Sequence, residues 1–306
     1  MSEKIYLLPK DGNFYKANLH CHTTLSDGKM TPEEIKTAYK SRGYSIVAFS
    51  DHRIVVPHPE LEDEDFLPLT ASEYDCNEPD VEWPATRTYH LNFISKDKNR
   101  TEFVPFTRIH SVEGINKVIS DAADAGFICQ YNHPRWSMNQ PQDFIGLKGL
   151  YAFEIYNTGC DQDLFSGEAE YEYEVYSRYG EGCPVTACDD NHIPENMFGG
   201  FTIIKAPSLD YDTVINALCE GDFYASRGPV INELYIEDGR LHIECSPVCK
   251  IGVFSDSRAC VKLQNYDGEE TYTVADLPLN FKRKYLRVVI EDSRGRRAWT
   301  RAYYGV

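Results

Sequence analysis

Thr31-Pro32-Glu33-Glu34-Ile35-Lys36-Thr37-Ala38-Tyr39-Lys40-Ser41-Arg42-Gly43-Tyr44-Ser45-Ile46-Val47-Ala48-Phe49-Ser50-Asp51-His52 runs a helix signal, a stop, an apolar strand and two metal-ligand residue types in that order. Thr31 offers an N-cap, Pro32 suits the first helical position and Glu34 completes a capping box, so a helix is expected to about Ser41, closed by Gly43. Ile35, Ala38 and Tyr39 fall on one face of it. Tyr44 to Phe49 then reads as a strand that delivers Asp51-His52 at its end.

The same order returns twice. Ser111 caps a helix with Val112, Ile115, Val118, Ile119 and Ala122 on its face; Gly126 stops it, and the strand Phe127 to Tyr131 leads to His133. A Tyr- and Glu-rich helix from Asp163 to Tyr179 is followed by Gly182, the strand Pro184 to Cys188 and Asp190-Asn191-His192. Helix, glycine, buried strand and ligand form the rhythm of an α/β chain of the β/α-barrel kind, whose functional residues collect at the carboxyl ends of its strands. Further strands are expected at Tyr15 to Leu19, Leu67 to Ser72, Thr88 to Ser95, Leu150 to Tyr156 and Phe201 to Ala206. From Arg227 the texture changes to short alternating segments with turns at Asp238-Gly239 and Asp267-Gly268, the mark of antiparallel strands. The expected organisation is a barrel over residues 1–226 and a small β-rich appendage over 227–306.

Six of the nine histidines sit just after strand-like runs. With neighbouring acids they make the set His20, His22, Asp27, His52, Glu73, His90, His133, Asp190 and His192. On an extended chain His20 and His22 point to the same side, so both imidazoles can reach one ion. Mixed imidazole and carboxylate donors suit two or three divalent ions, with Zn, Mn or Fe as the metals. Arg135, Arg227 and Arg53 are candidates for clamping a substrate oxyanion, because a planar guanidinium matches phosphate. His58, His110 and His242 fall outside the motifs and read as surface or packing residues. Tyr171, Tyr173, Tyr176 and Tyr179 have helical spacing and read as core. Gly199-Gly200 lacks the strand-to-helix setting of a phosphate loop, so no nucleotide cofactor is expected.

A net charge of -17 argues against a stable complex with a nucleic-acid polymer, which needs clustered Lys and Arg. The acidic runs Glu60 to Asp65 and Glu168 to Glu174 read as solvated surface. The amino terminus lacks a signal-peptide pattern and no apolar run approaches the roughly 18 residues of a membrane span, so a cytoplasmic protein without membrane attachment is expected. The ten cysteines are dispersed, several (Cys129, Cys188, Cys219) within apolar runs, and most read as free buried thiols; Cys245 and Cys249 have no partnering Cys-x-x-Cys pair.

Leu19-His20-Cys21-His22 with Ser26-Asp27-Gly28, then Ser50-Asp51-His52, Glu73, His90, His133 and Asp190-x-His192, resembles the polymerase and histidinol phosphatase (PHP) family over Tyr15 to Arg227. The resemblance implies a distorted seven-stranded, TIM-like β/α barrel. It also implies one ion held by His20, His22, Glu73 and Asp190, a second by Asp27, His52 and His192, and a third by Glu73, His90 and His133. The tail, including Tyr224 to Pro229 and Arg294 to Thr300, is similar to the β appendage of a branch that includes a carbamate-ester (carbaryl) hydrolase. The function expected is a metal-dependent phosphoesterase acting on a small phosphorylated metabolite or nucleotide, since paired divalent ions acidify a shared water and so supply hydroxide as nucleophile. Hydrolysis of an amide or carbamate ester is the enzymatic alternative. A metal-stabilised interaction module is the non-enzymatic one.

Overall fold

A computed structural model describes residues 4–102 and 106–306. Its strands are β1 (Ile5–Tyr6), β2 (Asn13–Asn18), β3 (Ile46–Phe49), β4 (Leu67–Asn77), β5 (Thr88–Ser95), β6 (Phe127–Tyr131), β7 (Ala152–Asn157), β8 (Val185–Cys188), β9 (Phe201–Ala206), β10 (Phe223–Ser226), β11 (Ile231–Glu237), β12 (Arg240–Val248), β13 (Lys250–Ser255), β14 (Cys260–Gln264), β15 (Tyr272–Pro278), β16 (Tyr285–Glu291), β17 (Arg297–Trp299) and β18 (Tyr303–Tyr304). The helices are α1 (Pro32–Lys40), α2 (Val112–Asp124), α3 (Pro141–Phe144), α4 (Thr158–Leu164), α5 (Glu170–Tyr179) and α6 (Tyr211–Glu220). The chain is a mixed α/β protein. No helix among the described residues is long and apolar enough to cross a membrane.

Local signals explain where the first elements begin. Thr31 and Glu34 form the reciprocal capping box of α1, and the Ser111 hydroxyl accepts from the Gly114 N–H to open α2. Such a cap is worth about 1 kcal/mol. Ile35 and Tyr39 on α1, and Ile115, Val118, Ile119 and Ala122 on α2, are buried as the spacing requires. β3, β6, β7 and β8 are buried along their whole lengths.

Strands β2 to β8 lie side by side in sequence order. β2/β3, β3/β4, β6/β7 and β7/β8 pair parallel, while β4/β5 and β5/β6 pair antiparallel. Beyond β8 the chain returns to β2: the Asp190 N–H donates to His20 O at 2.9 Å, and Cys21 and Asn191 form a parallel bridge. Side chains from β2 to β9, among them Ala17, Ala48, Leu69, Ile94 and Ile204, pack with Val214 and Leu218 of α6 into one apolar cluster. A polar layer that includes Asn92, Gln130 and Thr186 lies within the same strands; Thr186 and Tyr151 donate to Gln130 Oε1, and Gln130 donates to Asn132.

The last strands form two layers. β1, β11, β12 and β15 make a four-stranded sheet, and β13, β14, β16, β17 and β18 extend the large sheet through the β10/β17 ladder. Asp238 and Gly239 both have positive φ at the β11/β12 turn, the geometry of a two-residue hairpin. Asp267-Gly268 is not a hairpin turn; it carries the chain from β14 in one sheet to β15 in the other.

The expected helix from Asp163 to Tyr179 is broken into α4 and α5. Phe165 turns left-handed, and Gly167 packs so close to β7 that a Cβ there would meet Asn157 O at 2.3 Å. Two of its four tyrosines, Tyr173 and Tyr176, enter the core, whereas Tyr171 and Tyr179 are exposed. Nor is Glu168 to Glu174 a purely solvated run: Glu170 is held by Arg287 at 2.8 Å, Arg297 at 3.0 Å and the Trp299 indole at 3.1 Å. All ten cysteines are free, and Cys219 is exposed rather than buried.

Candidate metal centre

The nine ligand-type residues lie within or after six strands. His20, His22 and Asp27 follow β2, His52 follows β3, Glu73 and His90 lie in β4 and β5, His133 follows β6, and Asp190 and His192 follow β8. Asp190 adopts φ +50°, a left-handed turn that Asp tolerates better than most residues, just as the chain crosses to His20. Asp51 does not join the donors. It accepts from Thr23 N and Thr23 Oγ1, each at 2.8 Å, and from Ser26 Oγ at 2.6 Å, and so pins the loop that carries Asp27.

His20 Nε2 lies 3.2 Å from His22 Nε2, 3.3 Å from Glu73 Oε1 and 3.1 Å from Asp190 Oδ1. His22 Nε2 lies 3.3 Å from Glu73 Oε2 and 3.1 Å from Asp190 Oδ1. Asp27 Oδ2 stands 3.4 Å from His52 Nε2 and 3.5 Å from His192 Nε2, with His22 Nδ1 3.6 Å from the other oxygen. Glu73 Oε1 also faces His90 Nδ1 at 2.9 Å and His133 Nε2 at 3.5 Å. Glu73 therefore stands between two groups of imidazoles, and His22 faces two groups through its two nitrogens.

These separations fit a shared cation. Four donors at about 2.1 Å from a tetrahedral ion lie roughly 3.4 Å from one another. Asp190 Oδ1 and His22 Nδ1 are buried without a hydrogen-bond partner, a costly state that a cation relieves. His20, His22, Glu73 and His133 are almost wholly buried, His52, His90 and His192 are partly so, and Asp27 is exposed at the rim.

The electrostatics show the same demand for positive charge. Burial opposes a charged imidazole at His20, yet Asp190, Glu73 and Glu154 hold it well above the usual histidine range. Burial also opposes a charged His192, but Asp27 and Asp190 push it up to about 9. Burial likewise works against charge on Glu73, and His90, His20 and His133 hold its carboxyl well below the usual carboxylate range. His90 goes the other way, lowered chiefly by burial.

Glu154, Asn157 and Ser137 support these donors and escaped the motif reading. Glu154 Oε1 lies 3.1 Å from His20 Nδ1, and its other oxygen accepts from the His133 N–H at 3.0 Å and from Asn157 Nδ2 at 3.1 Å. With those donors fixed, His20 Nδ1–H donates to the carboxylate and Nε2 is left with a lone pair for an ion. Asn132 donates to Glu73 Oε1 at 2.9 Å, and Ser137 Oγ lies 3.1 Å from His133 Nδ1. The one signal for Glu154 in the sequence is an acid set inside the apolar run Tyr151 to Tyr156.

The centre forms the floor of a cavity of about 600 Å³ whose wall includes Trp136, Gln162 and Asn196. A second cavity of about 330 Å³ adjoins it past His52 and His90, and Arg53 lines it. Neither Arg135 nor Arg227 lines either cavity. Arg135 donates to Glu168 O, and the Arg227 guanidinium lies 4.1 Å over the Tyr156 ring and 3.6 Å from Asp161. His58 packs on Phe49 and His110 on Tyr89, both away from the centre. His242 sits on the four-stranded sheet beside Asp276, Glu233 and Glu244.

No family model matches the chain, and no curated protein does. Among solved structures, it is similar to a two-domain protein from Bacteroides vulgatus ATCC 8482 described as containing a predicted PHP-like metal-dependent phosphoesterase (15% identity, 99% of each chain covered, TM-score 0.46). It is also similar to a chain from Bifidobacterium adolescentis ATCC 15703 provisionally described as a metal-dependent phosphoesterase (16% identity, 70% of this chain and 98% of that one, TM-score 0.42). A third is an amidohydrolase from Chromobacterium violaceum with bound sulfate and no metal (12% identity, 58% and 88% covered, TM-score 0.37).

Proposed function

We propose that the chain is a metal-dependent hydrolase that releases phosphate from small phosphoesters. The observation that carries this reading is the convergence of six imidazoles and three carboxylates on one cavity floor, with buried orphan donors among them. The residues divide into His20, His22, Glu73 and Asp190; Asp27, His52 and His192; and Glu73, His90 and His133, a set for two to three Zn, Mn or Fe ions. When bound, divalent ions neutralise charge on a phosphoryl oxygen and acidify water. Glu154 and Asn132 orient the donors, and the buried floor excludes water that would otherwise screen charge. We read β2 to β8 as the distorted seven-stranded barrel, residues 1–226 as the catalytic unit and 227–306 as its appendage.

Preference for an anion over a neutral ester is supported at the mouth. Arg53 lines the second cavity, is paired with Asp75 and keeps its side chain half exposed, so a guanidinium able to meet an anionic oxygen stands beside the centre.

The test is release of inorganic phosphate from a phosphoester library by full-length protein reconstituted with Mn, Zn or Fe. Metal-dependent release supports the reading. Fast turnover of neutral carbamates or aryl acetates with none of any phosphoester would replace it with carbonyl hydrolysis, and a full ion complement with no turnover of either class would leave the interaction module.

A further inference from the structure

Between β4 and β5 the chain makes a loop whose base is clamped. The Glu78 N–H donates to Arg87 O at 2.8 Å, and the Arg87 guanidinium bridges Glu78 at 2.7 Å and Asp143 at 2.8 Å. This loop presents Trp83, a residue 70% exposed, over the second cavity. A large apolar ring left open on an anchored loop is a preorganised surface for another ring.

Trp136 ties that surface to the metal centre. Its Nε1–H donates to Asp163 at 3.0 Å, its edge meets the His133 and His90 rings at 5.3 and 5.9 Å, and its ring lies 5.9 Å from that of Trp83. It lines both cavities, as do Asp27, His52 and His90, so a group seated on the centre opens directly into the groove. Arg53 lies in the groove, paired with Asp75 and with its side chain half exposed.

We propose that this groove is the leaving-group subsite and that it selects phosphoesters of aromatic or heteroaromatic alcohols, with the ring stacked on Trp83 and Arg53 meeting an anionic oxygen at the groove's edge. The proposal rests on the phosphoesterase reading. In the reaction the oxygen of water bonds to phosphorus and the bond from phosphorus to the alcohol oxygen breaks. One proton of the water ends on the released alcohol, and the remaining hydroxyl stays with the phosphate. A stacked ring contributes binding without base-type selectivity, since any planar π face serves.

The test is calorimetric binding of phenylphosphonate and methylphosphonate to full-length, Mn-reconstituted protein, because a phosphorus–carbon bond is not hydrolysed. Wild type is expected to bind phenylphosphonate about tenfold more tightly, the scale of one stacked ring. Trp83→Ala should erase that preference while leaving methylphosphonate affinity unchanged, and Trp83→Phe should keep most of it. Arg53→Ala should weaken both ligands. Equal binding of the two phosphonates by wild type, or an undiminished preference in Trp83→Ala, overturns the subsite and leaves the phosphoesterase reading standing. Failure of both phosphonates to bind overturns that reading and the subsite with it.

Discussion

His20 Nδ1 lies 3.1 Å from Glu154 Oε1, and neither side chain reaches solvent. The pair joins residues 134 positions apart and aims the other imidazole nitrogen at Asp190 and Glu73. Glu154→Gln keeps the shape and removes the charge. We expect it to weaken metal affinity by about 10- to 100-fold, read by competition with a chromogenic chelator, while the circular dichroism spectrum is unchanged. Unchanged affinity would mean that His20 is oriented by packing alone.

Gly28 has a different job. A Cβ at this buried position would meet the carbonyl carbon and oxygen of His22 at 2.6 Å, backbone that cannot step aside without moving the Asp27 loop. Gly28→Ala should lower stability by roughly 1–3 kcal/mol in urea titration. It should also reduce the bound metal by up to one ion per chain, measured by elemental analysis, because Asp27 loses its place opposite His52 and His192.

The centre should make the metal-free protein sensitive to alkali. His192 is pushed up to about 9, above the roughly 6.5 of an unfolded chain, so its ion pairing adds stability that is complete below the lower value and lost as pH rises through the upper one. His20 and His22 shift in the same direction. Calorimetric Tm of metal-free protein should therefore fall between about pH 6.5 and 9, whereas Mn-saturated protein should lose this dependence. The depressed carboxyls of Glu73, Asp27 and Asp190 act only in acid, so they do not offset the trend. A Tm that rises over this interval would contradict the assignment.

His20→Ala and Asp190→Asn should each remove at least one ion and abolish turnover, with the fold retained. His242→Ala should change neither, since it lies on the four-stranded sheet and its ring stacks on Tyr235. Equal metal loss from all three variants would move the centre elsewhere.

Glu170 carries the junction between α5 and the last strands. Truncating it leaves Arg287, whose side chain is 5% exposed, without its carboxylate, and frees the Trp299 indole N–H. Glu170→Ala should cost about 3–5 kcal/mol in urea unfolding, the penalty for orphaning a buried charge. Metal content should be unaffected.

What the sequence by itself determined was local. The Thr31 to Glu34 cap, the Ser111 cap, the buried faces of α1 and α2, and the placing of His52, His133 and Asp190 just after strands all depend on residues a few positions apart, where rotation per residue decides the geometry, whereas Glu73, expected after a strand ending at Ser72, lies inside the longer β4. The split of the helix at Gly167 was not legible, because only the approach of β7 forbids a side chain there. Nor were the partners of Arg135, Arg227 and the Glu168 to Glu170 run, which are set by segments up to 129 residues distant. Tertiary structure alone decided that Glu154 turns His20 toward Asp190 and that Trp83 stands with Arg53 beside the centre. The meeting of Asp190 with His20, which the resemblance implied, is made physically when the end of β8 is laid beside the end of β2, and closing such distant segments depends on the summed packing of every strand between them, which no short stretch of sequence encodes.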